Sequence, residues 1–344
     1  MQFANLLLLF LDGVDEHGRE LVVLDAFDLT FFVPEGKQRL DTLDFLGTKA
    51  DETIDVEGLA SNLAKWNGLG VSGYVVLGST GERVHFNDSE YPEVIETARR
   101  AVPETLTFIV GAGQQSTRGT INEIERAAQA GAEAALVITP HYYRPAITRD
   151  ALVNHYTAVA DAAPIPIILY SMPDLTGIKI EPETAALLSK HQNIIGMKDS
   201  SNEVAKFAET VRMVNRDFAM MIGNGTVFNE TLQAGARGGI LAVGCVVPEL
   251  CLEIYRAVQA GEIDHASVLQ EKLTPLARAV TRTYGIGGLK AAMEIAGLVG
   301  GAVRAPLQRP NEEARMEITQ LLEKANQAVS QLIVSEPGAV ATGS

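Results

Sequence analysis

From Ile54 onward, short apolar runs rich in Val and Ile alternate with longer amphipathic segments, and this alternation restricts the fold more than any other feature of the chain. Apolar runs with no polar face read as strands buried on both sides, which occur where helices cover both faces of a parallel sheet. Strands are expected at residues 74–77, 107–110, 134–138, 166–170, 194–198, 219–222 and 239–243. Helices are expected between them at 56–70, 89–101, 117–130, 149–162, 182–191, 203–215 and 226–234. Capping residues such as Asp55, Asp88 and Thr148 open several helices, and Gly70, Gly131 and Gly235 close others just before a strand.

Seven such units nearly complete an α/β fold of the (β/α)₈ TIM-barrel type, which needs eight parallel strands. The missing strand must come from the first fifty or so residues, where 20–24, 29–33 and the weaker 40–46 are the candidates. After residue 243, apolar periodicity continues through 248–260, 265–282, 289–298 and 312–332, which is more helix than one barrel crossover uses and implies a C-terminal helical extension. The expected organisation is an atypical N-terminal segment at 1–50, a barrel core at 51–245, a helical region at 246–334 and a flexible tail at 335–344.

Composition narrows the function. With 344 residues and 47% hydrophobic content the chain can bury a sizeable core. A net charge of −15 argues against nucleic acid, whose phosphates it would repel, and directs attention to small molecules and other protein chains as partners. Cys245 and Cys251 are the only cysteines, without metal-type spacing, and read as small buried hydrophobes in a reducing compartment. The leucine-rich run at residues 3–11 has no basic residue before it and is followed by Asp12, Asp15 and Glu16, unlike a targeting signal. No apolar run reaches the roughly 18 residues that would cross a bilayer. The expectation is a cytoplasmic protein with no membrane partner.

In such barrels the reactive groups project from the carboxyl ends of the strands. Lys198 closes the run Asn193-Ile194-Ile195-Gly196-Met197-Lys198 and is followed by Asp199-Ser200-Ser201. A lysine held where a buried strand meets a loop loses hydration, which disfavours the ammonium form and leaves an amine able to attack a ketone. Taken alone, it could as well be a strand end whose head group snorkels to water. The first run, however, closes in Gly78-Ser79-Thr80-Gly81-Glu82, a turn of small residues and hydroxyls suited to a carboxylate. The third closes in Thr139-Pro140-His141-Tyr142-Tyr143-Arg144-Pro145 and the fourth in Tyr170-Ser171-Met172-Pro173. A Schiff-base enzyme needs an amine, a group that shuttles protons and donors that fix a carboxylate, and this inventory supplies each. The six histidines are scattered without ligand spacing, which disfavours a metal-dependent aldolase, and Gly111-Ala112-Gly113 and Gly223-Asn224-Gly225 are too short for phosphate loops. No cofactor is expected.

Three segments, Gly78-Ser79-Thr80-Gly81-Glu82, Tyr170-Ser171-Met172-Pro173 with Thr176-Gly177, and Gly196-Met197-Lys198-Asp199, together resemble the signatures of the dihydrodipicolinate synthase/N-acetylneuraminate lyase family. The resemblance runs from about residue 54 to 307 and takes in Tyr284-Gly285-Ile286-Gly287-Gly288-Leu289-Lys290. It implies a (β/α)₈ barrel with C-terminal helices, pyruvate Schiff-base chemistry and a homotetramer built as a dimer of dimers. It also implies that Lys198 forms the Schiff base and Tyr170 transfers protons. Thr80 would link Tyr170 to Tyr142, which would enter the neighbouring subunit's site. Ser79 and Thr80 would bind the pyruvoyl carboxylate, with Gly223 and Ile240 lining the pocket.

Within the family, dihydrodipicolinate synthases usually carry arginine two residues after the proline of the tyrosine motif, where this chain has Leu175. Leucine cannot replace a guanidinium fork. The segments His141-Tyr142-Tyr143-Arg144-Pro145, Met197-Lys198-Asp199-Ser200 and Arg304-Ala305-Pro306-Leu307 look more like 4-hydroxy-2-oxoglutarate aldolases, with Ser200 a candidate substrate contact. That enzyme yields pyruvate and glyoxylate. A 2-keto-3-deoxy sugar acid aldolase and the synthase itself are the alternatives. The first fifty residues do not resemble the family's usual first strand, so an impaired paralogue acting as a scaffold subunit is the alternative of a different class. The intact Lys198, Tyr170, Thr80 and Tyr142 favour an enzyme.

Overall fold

The computed structural model of the protein describes residues 48, 49 and 51–335. The three candidates for a first strand, the leucine-rich run and residues 336–344 of the expected tail lie outside the described residues.

Thr48 forms antiparallel bridges to Ile54 and Ala302, after which α1 (Val56–Trp66), β1 (Gly73–Val76), α2 (Glu90–Ala101), β2 (Thr107–Ala112), α3 (Thr117–Gln129) and β3 (Ala134–Ile138) alternate. Then follow α4 (Arg149–Ala162), β4 (Ile167–Ser171), the one-turn α5 (Pro173–Thr176), α6 (Pro182–Leu188), β5 (Ile194–Asp199), α7 (Val204–Met213), β6 (Ala219–Ile222), α8 (Phe228–Gln233) and β7 (Gly238–Gly239). The C-terminal helices are α9 (Pro248–Ala260), α10 (Ile263–Arg278), a π-helical turn (Ala279–Thr283), α11 (Gly285–Ile295) and α12 (Glu312–Ser335). Among the described residues no helix is long and apolar enough to cross a membrane.

The seven strands pair in parallel and in sequence order, from β1 to β7. Their side chains sort by parity, as a pleated strand requires. Val75, Ile109, Leu136, Ile168, Met221 and Ile240 meet in an inner cluster, and Tyr74, Val76, Phe108, Val110, Val137 and Leu169 face the helices. That residues of β1 and of the segment after β7 share one inner cluster means the sheet is curled on itself, as in a barrel. On β5 the outward residue is Met197, so the next residue, Lys198, takes the inward parity of Tyr170 on β4.

Local signals act largely as read. The side chains of Asp55 and Thr148 cap α1 and α4 by accepting from the backbone N–H of Gly58 (2.9 Å) and Ala151 (3.2 Å). Gly131 and Gly235 adopt φ of +96° and +104°, a left-handed conformation that a side chain would strain. Asp88 does not cap α2. The carboxamide oxygen of Asn87 takes the N–H groups of Ser89 and Glu90, both at 3.0 Å, leaving Asp88 exposed and paired with Arg126. The expected strand at 239–243 is also shorter than read: Ile240 still donates to Ile222 O at 2.9 Å, and the chain then winds into a 3₁₀ turn at Ala242–Cys245.

One buried group ties stability to pH. His155 of α4 is 7% exposed, and its Nδ1 lies 2.9 Å from Thr117 Oγ1 on α3. Burial pushes its imidazole down to about 4. The unfolded chain, with an ordinary histidine near 6.5, binds this proton first, so the contribution is present at neutral pH and is lost as pH falls from about 6.5 towards 4. Between pH 7 and pH 5 the loss from this group is about 2 kcal/mol. Urea unfolding of the protein and of His155→Gln at both pH values should show the parent losing that much more than the variant. Equal losses would remove His155 as the source.

Candidate active site

The cavity at the carboxyl ends of the strands is built by backbone registers. Tyr170 and Lys198 are direct partners across β4 and β5, and Lys198 is partnered by Met221 on β6. The ladder continues past the strand ends: Ser200 N donates to Ser171 O at 2.9 Å and Gly223 N to Asp199 O at 2.7 Å. Lys198 and Tyr170 are both 4% exposed, and the lysine Nζ stands 4.3 Å from the centroid of the tyrosine ring. Both line a cavity of about 400 Å³ together with Ser79, Thr80, Ser200, Gly223 and Ile240.

Gly223 is required by close approach. A Cβ there would stand 2.0 Å from Ser200 Oγ and 2.6 Å from Lys198 Cε, so any side chain would displace the amine. Asp199, of opposite parity, is buried outside this cavity, where burial raises its carboxyl and the Ser201 N–H, donating at 2.8 Å, opposes the rise.

The hydroxyl turn after β1 is bracketed by two non-glycine residues in the left-handed region, Leu77 at φ 60° and Glu82 at φ 53°. Such residues cost about 1–3 kcal/mol each and persist where surroundings fix them. Here the surroundings are charged. Glu82 is 1% exposed, pairs with the buried Lys290 of α11 and accepts from Arg304 N at 3.0 Å. Burial pushes the Lys290 ammonium below the ordinary lysine value, and Glu82 offsets part of that shift. Arg304 reaches further, donating to Glu90 Oε2 and His85 O at 2.8 Å and to Glu52 O at 2.7 Å. Arg304 therefore braces the turn that presents Ser79 and Thr80, and is not among the cavity-lining residues.

Tyr142 is not brought to this cavity. Its ring is 74% exposed, packs edge-on against Tyr143 at 5.0 Å, and its N–H donates to Gln115 Oε1 at 2.8 Å. Within its own chain Tyr142 therefore stands outside the cavity that Thr80 and Tyr170 line. A second cavity of about 580 Å³, lined by Arg83, Asp88, Gln114, Gln115 and His141, shares Ser79 and Tyr170 with the first.

Several lining residues escaped sequence reasoning: Met172, Asp174, Asn224, Val280, Thr281, Arg282, Ile286 and Leu307. Five of them come from the C-terminal region after α10, whose return over the barrel mouth no local pattern announces. A signal that local reading can use is Pro275 inside α10, a turn before the π-helical segment.

Fold and cavity define an enzyme that works from the carboxyl ends of barrel strands. The chain belongs to the dihydrodipicolinate synthetase family, whose model matches residues 47–325, and is a pyruvate-dependent class I aldolase, a carbon–carbon lyase. It is similar to 4-hydroxy-tetrahydrodipicolinate synthase of Methanospirillum hungatei, 31% identical over 79% of this chain and 93% of that one. The enzyme of the same name from Archaeoglobus fulgidus is 34% identical over 80% of this chain and 93% of the relative. Among solved structures, the chloride-inhibited dihydrodipicolinate synthase of Acinetobacter baumannii complexed with pyruvate superposes with a TM-score of 0.78 at 28% identity, over 84% of this chain and 99% of that one. These relatives carry the synthase's name, not that of the 4-hydroxy-2-oxoglutarate aldolase towards which Leu175 pointed.

Proposed function

We propose that this aldolase condenses pyruvate with aspartate semialdehyde, the synthase reaction, through an imine on Lys198. The observation that carries the chemistry is the buried Lys198 amine 4.3 Å from the Tyr170 ring in a cavity open to a small oxo acid. Ser79 and Thr80 hold the pyruvate carboxylate, and Gly223 and Ile240 shape the floor. The Lys198 amine attacks C2, and Tyr170 delivers the proton with which the carbinolamine oxygen leaves as water. The Tyr170 phenolate left by that step takes a C3 proton to give the enamine, whose C3 bonds to the aldehyde carbon while the phenol returns the proton to the new alkoxide. The amino group of the second substrate then attacks C2 and displaces the Lys198 amine. Synthase relatives matching about four-fifths of this chain support the choice of aldehyde. The enzyme acts in the cytoplasm, as a homo-oligomer in which the exposed Tyr142–Tyr143 face meets a second copy.

A second reading, cleavage of 4-hydroxy-2-oxoglutarate to pyruvate and glyoxylate, is favoured by Leu175, which is 65% exposed at the cavity rim, and by Ser200 within it. Incubation with pyruvate and borohydride is expected to add one pyruvate-derived unit per chain, on the peptide containing Lys198. Parallel assays should then give a higher kcat/KM for aspartate semialdehyde condensation than for 4-hydroxy-2-oxoglutarate cleavage. The reverse order promotes the second reading, preference for a 2-keto-3-deoxy sugar acid promotes a third, and a label on another lysine defeats the assignment of Lys198.

A further inference from the structure

We infer that Arg282 and Asp174 together form the specificity site for the second substrate, and that they fit a zwitterionic α-amino-acid head group, with carboxylate on Arg282 and ammonium on Asp174. The inference deepens the synthase reading above and rests on it.

The charge inventory of the cavity leads there. Its lining holds two cations, Lys198 and Arg282, and one anion, Asp174. Lys198 is committed to the imine, and the hydroxyl turn takes the pyruvate carboxylate. Among the cavity's cations that leaves Arg282 to meet a further anionic group, since Leu175 offers no donor. Arg282 comes from the π-helical turn Ala279–Thr283, which presents three consecutive residues, Val280, Thr281 and Arg282, to the same cavity. π-helical turns of this kind occur frequently at functional sites.

Arg282 Nη2 donates to Asp174 Oδ2 at 2.5 Å, and each side chain is 48% exposed. A guanidinium has five donors, and among the described residues this is the one bond recorded for it, so a planar carboxylate can be received on the remaining edge. Asp174 belongs to α5, the turn that also carries Leu175, so the pair spans the rim from the tyrosine motif to the C-terminal region. The two charges neutralise each other. A half-exposed pair of this kind is weak enough to open. An incoming head group with adjacent ammonium and carboxylate replaces one ion pair by two, whereas an aldehyde with a carboxylate alone leaves Asp174 facing an anion. The site therefore discriminates at the ammonium as well as at the carboxylate.

The test compares three aldehydes with the parent, Arg282→Ala and Asp174→Ala: aspartate semialdehyde, succinate semialdehyde, which lacks only the ammonium, and glyceraldehyde, which lacks both charges. For Arg282→Ala the KM for both carboxylate-bearing aldehydes should rise about ten- to a hundredfold, with glyceraldehyde unaffected. Asp174→Ala should raise the KM for aspartate semialdehyde alone and leave succinate semialdehyde unchanged or improved. Borohydride trapping of pyruvate should be the same in all three proteins, which shows that the variants fold and keep the imine. Variants that change every aldehyde equally, or none, overturn the proposal while leaving the synthase reading intact. A parent that traps pyruvate yet turns over neither semialdehyde overturns both.

Discussion

Lys198→Ala should lower turnover by on the order of 10⁵-fold or more, since it removes the covalent attachment that holds pyruvate in reacting position. The amine is 4% exposed beside an aromatic ring, and its removal leaves no buried donor without a partner. The fold should therefore be kept, as expected when a buried polar group is withdrawn from a cavity. Lys198→Arg should be equally inactive, because a guanidinium keeps the charge but does not deprotonate to a nucleophile. The measurements are kcat, the borohydride adduct mass and thermal unfolding on the same samples. An adduct surviving in Lys198→Ala would move the imine to another lysine.

Tyr170→Phe should reduce kcat by about 10²–10⁴-fold, the usual contribution of a general acid–base group. The ring that faces Lys198 and joins the inner cluster is retained, so only the phenolic oxygen is deleted. The pyruvate adduct should still be trapped at equilibrium, more slowly, and the KM for pyruvate should change little. This split is the signature of an interaction made in the transition state. A kcat within about threefold of the parent would take the phenol out of the proton path.

Much of this was legible along the chain because it depends on local rules. Buried parallel strands announce themselves as apolar runs, and a polar residue closing such a run is set at the carboxyl end of a barrel, where Lys198, Tyr170, Ser79 and Thr80 all stand. Where the sequence misled, a nearby competitor won. Asn87 lies one residue before Asp88 and captured the helix N–H groups, and the chain after Gly239 curled into a 3₁₀ turn that the apolar run 239–243 did not reveal. Leu175 was read as the loss of a cation because the reading looked only two residues past the tyrosine motif. Arg282, the second cation lining the cavity, is 108 residues from its partner Asp174, on a π-helical turn.

The sequence by itself determined the parallel α/β architecture, the helical extension and which side chains end the strands. It did so because strand parity and helix periodicity are properties of neighbouring residues. Only the tertiary structure decided what meets across the barrel mouth. The 4.3 Å approach of Lys198 to the Tyr170 ring, the exclusion of any side chain at Gly223, the bracing of the hydroxyl turn by Lys290 and Arg304, and the arrival of Arg282 beside Asp174 all join residues distant in the chain. Burial, register and the return of the C-terminal helices set those distances, and no local pattern encodes them.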